Sequence, residues 1–419
     1  MAIKENQVSV FGWNRRGSCH SGQSAGEAQR GGGGRAPTLD LLVVGGGVWG
    51  TWTALQARRL GATVQLIEER EPGGAKTTSG DYSRIIRHSH GEDSLLMGWT
   101  QRALVAWKEL GEAAGEQIFV ESGVAWFVSG DGIWEAHSEQ RMREAGVPCE
   151  RITPEEALHR WPTLGTDGLT SVLYEPTAGF LRAGNGVRAA ARMLEREGGV
   201  ITRGRATPAA DGSALDASGA PIAAGATVWA AGPWLPELFP QLVGADAEAS
   251  IIPVRRDAIY FDAPQMGVGE IPTWIDEGLA VWGIPNDQGH GVKVGPEFDA
   301  GSFDPSVWPD EAHPTSIARA RECAVRFPAL KSAPVKETRA CQHERTKSGH
   351  YVLDQHPENP AIWLAGGGSG HGYKQGPMVG ELMARAALNN NPMQLPDRRF
   401  KLHDRSEGPS SPMGEMGLA

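Results

Sequence analysis

Apolar and polar positions follow no period along the first 36 residues, where the run Gly31 to Gly34 and scattered Ser and Arg stand in place of any stripe. Such a stretch buries too little surface to offset the entropy of ordering it, so residues 1–36 are expected to be a flexible tail. Order in the pattern begins at Leu39. Leu39 to Val44 is almost continuously apolar, as in a parallel strand covered on both faces. Gly45, Gly47 and Gly50 follow at once. Thr51 to Leu60 then contains neither Pro nor Gly and stops at Gly61, which predicts a helix with a glycine at its C-terminal end. A second apolar run, Thr63 to Ile67, ends at Glu68.

Further along, Leu96, Trp99, Ala103, Ala106 and Leu110 fall at helical spacing, a stripe in which Trp99 and Trp107 read as packing residues. Val187, Ala190 and Leu194 mark another helix, stopped by Gly198 and Gly199 and followed by a strand from Val200. A third apolar run, Ala226 to Ala231, ends in Gly232-Pro233-Trp234. Ile118 to Val128 and Ile251 to Val294 are richer in Trp, Pro and β-branched residues and predict sheet. Residues 393–419, with Pro409, Ser410, Ser411 and Pro412, read as a C-terminal tail.

Composition narrows the function classes. Of 419 residues, 40% are hydrophobic and 21% charged, the balance of a globular protein. The net charge of −10 argues against a chain that grips nucleic acid through its bulk charge. No apolar stretch approaches the roughly 20 residues needed to span a bilayer, so no membrane partner is expected. Four cysteines, Cys19, Cys149, Cys323 and Cys341, lack zinc-ligand spacing. No metal is expected, and reduced thiols point to the cytoplasm.

Strand, glycine turn, helix, strand and terminal acid together form a chemical motif. Gly45 allows the tight turn, Gly47 lets the backbone approach a pyrophosphate, and Gly50 lets helix and strand pack closely. The helix N-terminus offers unpaired N–H groups and a positive dipole to phosphates. Glu68 is placed to accept hydrogen bonds from a ribose diol, which favours FAD or NAD over NADP. A second glycine-rich stretch, Leu364 to Pro377, feeds a helix predicted over Met378 to Leu388. A helix N-terminus there would steady the negative charge of a reduced flavin. The expected fold class is α/β: a Rossmann-like FAD-binding domain assembled from discontinuous segments (37–115, 174–248 and 336–392) plus a mainly antiparallel-sheet substrate domain (116–173 and 249–335).

Three blocks carry a family resemblance: the glycine motif, Ser83-Arg-Ile-Ile-Arg-His88, and Cys341 placed before the loop Gly367 to Lys374. On these the chain resembles the monomeric sarcosine oxidase and N-methyl amino acid oxidase family, within the D-amino-acid-oxidase-like FAD oxidoreductases. The resemblance covers most of residues 38 to 392. It implies that Cys341 carries FAD through a thioether to the flavin 8α-methyl group. It implies that Arg87 and Lys374 hold a substrate carboxylate, a task suited to a planar guanidinium fork and a second cation. By the same resemblance Lys293 assists oxygen near the flavin, and Arg84 and Ser83 belong to the flavin environment. Gly232, like Gly367, Gly370, His371, Gly372 and Lys374, is expected along the cofactor.

Five positions depart from the family pattern. Gly80 and Glu297 stand where histidines are usual, Gln342-His343 replaces a Met-Tyr type pair, and Trp282 replaces a pocket tyrosine. Carboxylate, flavin and oxygen sites are therefore expected to be kept, while the surroundings of the substrate amine and side chain, Trp282 among them, differ. The implied activity is FAD-dependent oxidation of a secondary, N-methyl or N-alkyl, amino acid to an imine, with O2 reduced to hydrogen peroxide. Fructosyl amino acid or cyclic imino acid oxidation, and a dehydrogenase using another acceptor, are the alternatives. The expected partners are a small amino acid and O2, and the expected assembly is a monomer or weak oligomer.

Overall fold

The computed structural model of the chain describes residues 39–297, 303–309, 311–392, 395 and 397–406. The N-terminal tail expectation lies outside these residues. Thr38–Ala419 cluster as one unit, and two sheets organise it.

The first sheet has six strands, in the order Val352–Gln355, Ile362–Gly366, Ala224–Trp229, Leu39–Val44, Val64–Glu68 and Val200–Arg203. All its neighbours run parallel except the outer pair Val352–Gln355 and Ile362–Gly366. The continuous apolar run of the first strand has a direct cause. Leu41 and Val43 face a core shared with helices Val48–Arg59, Ser94–Ala114, Ala183–Arg196 and Gly376–Asn389. Leu42 and Val44 face a second core containing Trp229, Phe239 and Leu364. Both faces are covered, so no polar residue fits in the strand interior.

The second sheet has eight strands: Val335–Arg339, Ala258–Phe261, Val292–Pro296, Val281–Ile284, Thr273–Asp276, Val124–Val128, Ser171–Glu175 and Glu150–Ile152. Its neighbours are antiparallel except Thr273–Asp276 against Val124–Val128. That one parallel pairing stitches the two sequence-distant sheet-rich stretches into a single surface. The fold is thus α/β, a Rossmann-like layer joined to a mainly antiparallel sheet. Two smaller sheets bridge toward the first: Ser83–Ile86 with Gly179–Arg182 and Phe119–Val120, and Ile251–Arg255 with Gln342–Thr346.

One expectation changes. Residues 397–406, read as part of a tail, pack against the core, and residues 407–419 lie outside the described set. Phe400 and Leu402 are buried, and Phe400 stacks on Tyr351 at 5.8 Å between ring centroids. Arg399 is buried too, donating to both carboxylate oxygens of Asp93 at 2.7 and 3.1 Å. Asp93 in turn caps helix Ser94–Ala114 by accepting from the Leu96 N–H. The charged neighbours Asp397, Arg398, Lys401 and Asp404 hide these two apolar anchors in the sequence.

Candidate active site

A deep cleft runs from the C-terminal ends of the central parallel strands to the second sheet. Among its lining residues are Gly45, Gly47, Glu68, Arg84, Arg87, Gly232, Trp282, Cys341, Gly370, His371, Gly372 and Lys374. Twelve of the sequence-predicted residues therefore meet in one place. Gly50, Ser83, Lys293 and Gly367 do not line it.

The nucleotide end follows from the turn after the first strand. Gly45 has φ +106°, and a Cβ there would lie 2.4 Å from the Ala230 carbonyl oxygen. A Cβ on Gly50 would lie 1.9 Å from the Gly45 carbonyl oxygen, so Gly50 serves helix packing rather than ligand contact. Gly47 differs: a Cβ would meet only Ser79 Oγ, at 3.5 Å, which leaves its backbone open to the cleft. Glu68 Oε2 accepts from the Gly46 N–H at 2.6 Å and Oε1 from the Arg70 N–H at 2.8 Å. The acid thereby pins the glycine turn while still lining the cleft. An open glycine backbone, a helix N-terminus and an acid at the next strand end fit the diphosphate and ribose of a dinucleotide.

A charged cluster stands at the middle of the cleft. Arg84 lies on the wall, with Nη2 3.3 Å from Cys341 Sγ and Nη1 donating to Asp81 Oδ2 at 2.7 Å. Asp81, which sequence reasoning missed, also receives Lys293 Nζ at 2.5 Å and the Tyr260 hydroxyl at 2.5 Å. Burial alone would raise the Asp81 carboxyl, but Lys293 and Arg84 beside it hold it well below the usual carboxylate range. Burial pulls Lys293 down to about 8 against the opposing pull of Asp81. Lys293 also donates to the Ser83 carbonyl at 2.9 Å and lies 5.0 Å from the Trp282 ring centroid. Ser83 thus contributes a backbone oxygen to the cluster, and Lys293 stands one residue back from the cleft.

Two cations face the cleft without such a counter-ion. Arg87 and Lys374 are 5% and 3% exposed, and among the described residues neither has a carboxylate within ion-pair distance. Arg87 donates to the Ser89 carbonyl and lies over Trp126, 4.8 Å from its centroid. Lys374 Nζ donates to the His371 carbonyl at 3.0 Å. Burial, reinforced by Arg87 nearby, pushes the Lys374 ammonium well below its ordinary value. Glu175, the nearby buried acid, is already taken up by the His88 N–H and the Ser89 hydroxyl. A buried cation without a partner is costly, which is what depresses Lys374 and makes the site receptive to an anion.

His371 is fixed and neutral. Its Nε2 lies 3.1 Å from the Gly349 carbonyl, which can only accept, so Nε2 carries the proton and Nδ1 accepts from the Tyr351 hydroxyl at 2.8 Å. Burial and neighbouring Lys374 hold its pKa well below the ordinary histidine value. At the far wall, Glu297 accepts from Trp282 Nε1 at 2.9 Å and from Arg256 Nε at 3.2 Å. The departure from histidine at 297 is therefore matched by Trp282 and Arg256, which form one hydrogen-bonded unit with it. No signal in the sequence ties Glu297 to Arg256, 41 residues away.

Similarity to known proteins agrees with this geometry. Residues 40–386 match the family model DAO, FAD dependent oxidoreductase. The chain is 28% identical over 383 residues to monomeric sarcosine oxidase from Streptomyces avermitilis, covering 87% of this chain and 98% of that one. It is 26% identical over 370 residues to N-methyl-L-tryptophan oxidase from Salmonella agona, covering 84% and 95%. In fold it is similar to L-proline dehydrogenase from P. horikoshii, with a TM-score of 0.76 at 21% identity over 87% of this chain and 97% of that one. Glycine oxidase from Geobacillus kaustophilus gives a TM-score of 0.73 at 19% identity over 88% and 99%. A dinucleotide turn, a second glycine loop across the cleft and a family match spanning both sheets lead to one assignment: the chain belongs to the DAO family of FAD-dependent oxidoreductases.

Proposed function

We propose that this chain is an oxidase of secondary amino acids, N-methyl or N-alkyl, cleaving the C–N bond by way of an imine. The observation that carries the reading is the pair Arg87 and Lys374: buried, cleft-facing and without a carboxylate partner among the described residues. A substrate carboxylate supplies the missing anion, with Arg87 as a planar fork and Lys374 as a second point charge. The names of the relatives in Streptomyces and Salmonella support a secondary amine as the reacting group.

Gly45, Gly47 and Glu68 would hold the adenosine diphosphate end of FAD, and Gly370, His371 and Gly372 would border its ring end. Cys341 is the candidate for a thioether to the flavin, with the Arg84 guanidinium 3.3 Å from its sulfur. Bound FAD supplies the two-electron acceptor for hydrogen leaving the carbon next to nitrogen, and O2 takes the electrons onward to hydrogen peroxide. Everything else falls to the chain. Arg87 and Lys374 orient the substrate, neutral His371 adds no competing charge, and Trp282 and Ile275 present apolar surface. Water then hydrolyses the released imine to an amine and a carbonyl compound. The six-stranded sheet and its helices form the cofactor side and the eight-stranded sheet the substrate side.

A second reading, electron transfer to an acceptor other than O2, is favoured by one observation: Lys293 is tied to Asp81 instead of lining the cleft. One experiment separates them. The flavin-loaded protein is mixed anaerobically with a panel of N-methyl and N-alkyl amino acids, then exposed to air while peroxide and aldehyde are measured. Bleaching followed by stoichiometric peroxide supports the oxidase. Bleaching with slow recovery in air supports the second reading, and no bleaching with any member of the panel rejects both.

A further inference from the structure

The strand Gln342–Thr346 begins one residue after Cys341 and pairs with Ile251–Arg255. Alternation along a strand places Gln342 and Glu344 on one face and His343 on the other. His343 borders the cleft as Gln342 and Glu344 do, but it is the latter two, at 1% and 7% exposure, that carry unpartnered polar atoms there. Neither amide atom of Gln342 has a hydrogen-bond partner, and Glu344 Oε2 has none either. Glu344 Oε1 reaches only the Gly368 N–H, at 3.5 Å. Buried polar groups are nearly always paired, and an orphan costs its full desolvation. Three orphan atoms on one strand face, all opening on one cleft, point to a ligand that completes them.

The position says which ligand. Glu344 lies between the turn at Gly232, after strand Ala224–Trp229, and the loop at Gly368: a Cβ on Gly232 would sit 3.7 Å from its Oε2, and one on Gly368 would sit 3.6 Å from its Oε1. A strand rises about 3.3 Å per residue, so Glu344 stands about 10 Å from Cys341, roughly the length of a fused three-ring system. Burial raises the Glu344 carboxyl above its ordinary value, and among the described residues no cation is ion-paired to it. An unpaired carboxyl would repel a phosphate or a carboxylate, and an amide offers both donor and acceptor sides, so the pair suits uncharged oxygen and nitrogen atoms.

We infer that Gln342 and Glu344 form a polar ledge that hydrogen-bonds the uncharged polar atoms of the FAD isoalloxazine and ribityl groups. The inference rests on FAD occupying this cleft. Cys341→Ser serves as the parent, so that flavin can leave whether or not the thioether forms. Into that holoprotein are placed Glu344→Gln, Glu344→Leu and Gln342→Leu, and three things are measured: FAD release after dilution, the visible flavin spectrum and the thermal midpoint without added FAD.

Glu344→Gln keeps a donor and an acceptor and is expected to release FAD within about threefold of the parent. Each Leu variant is expected to release it about tenfold faster, with a shifted flavin band, as for the loss of one buried hydrogen bond. A merely structural role predicts the opposite balance, a lower thermal midpoint with unchanged release and spectrum, and that result overturns the proposal. Equal release from all four proteins overturns it as well. A folded parent that takes up no FAD refutes the FAD assignment of the cleft itself, which is a separate failure.

Discussion

In the proposed substrate site, Lys374 is the residue whose charge a bound carboxylate would change. Its ammonium is buried beside Arg87 and sits well below its ordinary pKa. A carboxylate bound against it favours the charged form, so the pKa in the complex is higher than in the free site. Between those two values, binding takes up a proton, and affinity must fall as pH rises. Arg87 stays charged throughout and contributes no slope. The inhibition constant of a simple carboxylate lacking an amine, followed through the flavin spectrum at constant ionic strength, should therefore increase with pH, approaching tenfold per unit. Lys374→Met should bind the same carboxylate more weakly and with no slope in that window. A flat profile in the unaltered protein would mean that Lys374 does not meet the anion. Asp81 explains why Lys293 is not the residue to expect such behaviour from: it already carries its counter-ion.

Among elements, the turn from Leu39–Val44 into helix Val48–Arg59 is the most tightly constrained. Gly50 in the first turn of that helix and Gly61 just past its end look alike in sequence, yet the space around them differs. An alanine Cβ at Gly50 would stand 1.9 Å from a backbone oxygen, whereas at Gly61, φ +96°, nothing lies within 4 Å. Gly61→Ala should lose only the strain of a left-handed backbone, about 1–2 kcal/mol by denaturant unfolding, and keep its flavin. Gly50→Ala should force helix and strand apart and yield colourless or insoluble protein, as judged by flavin content per chain. Full flavin content in Gly50→Ala would refute the close-approach argument. This turn was legible because all its parts, apolar run, glycine spacing and Glu68, lie within 30 consecutive residues. Asp81 was not, since the Lys293 that gives it meaning lies 212 residues away and acids in loops are common. Helix Ile133–Glu144, just beyond the sheet-rich stretch Ile118 to Val128, was missed for a related reason: only three of its residues are buried, so it carries little apolar stripe to read.

At the scale of the whole molecule, the cleft is the seam where distant parts of the chain meet, from Val44 at the first strand to Lys374 at the last helix. The C-terminal segment supports it from behind, since Phe400 backs Tyr351, and Tyr351 holds His371 on the wall. A ligand that binds only the closed seam stabilises every part at once, by about 2.7 kcal/mol when it is present at a hundredfold excess over its dissociation constant. A thioether removes that dependence, because a tethered cofactor has no free concentration. Unaltered protein with flavin bound through Cys341 should melt at one temperature whatever FAD is added. Cys341→Ser should melt lower in FAD-free buffer and climb steadily, in proportion to the logarithm of added FAD. Acid precipitation reads the same question chemically: a yellow pellet from the unaltered chain and a yellow supernatant from Cys341→Ser. If both proteins climb alike with added FAD, the flavin is held by the seam alone. The 3.3 Å contact of Arg84 with the sulfur would then be only a hydrogen bond to a free thiol.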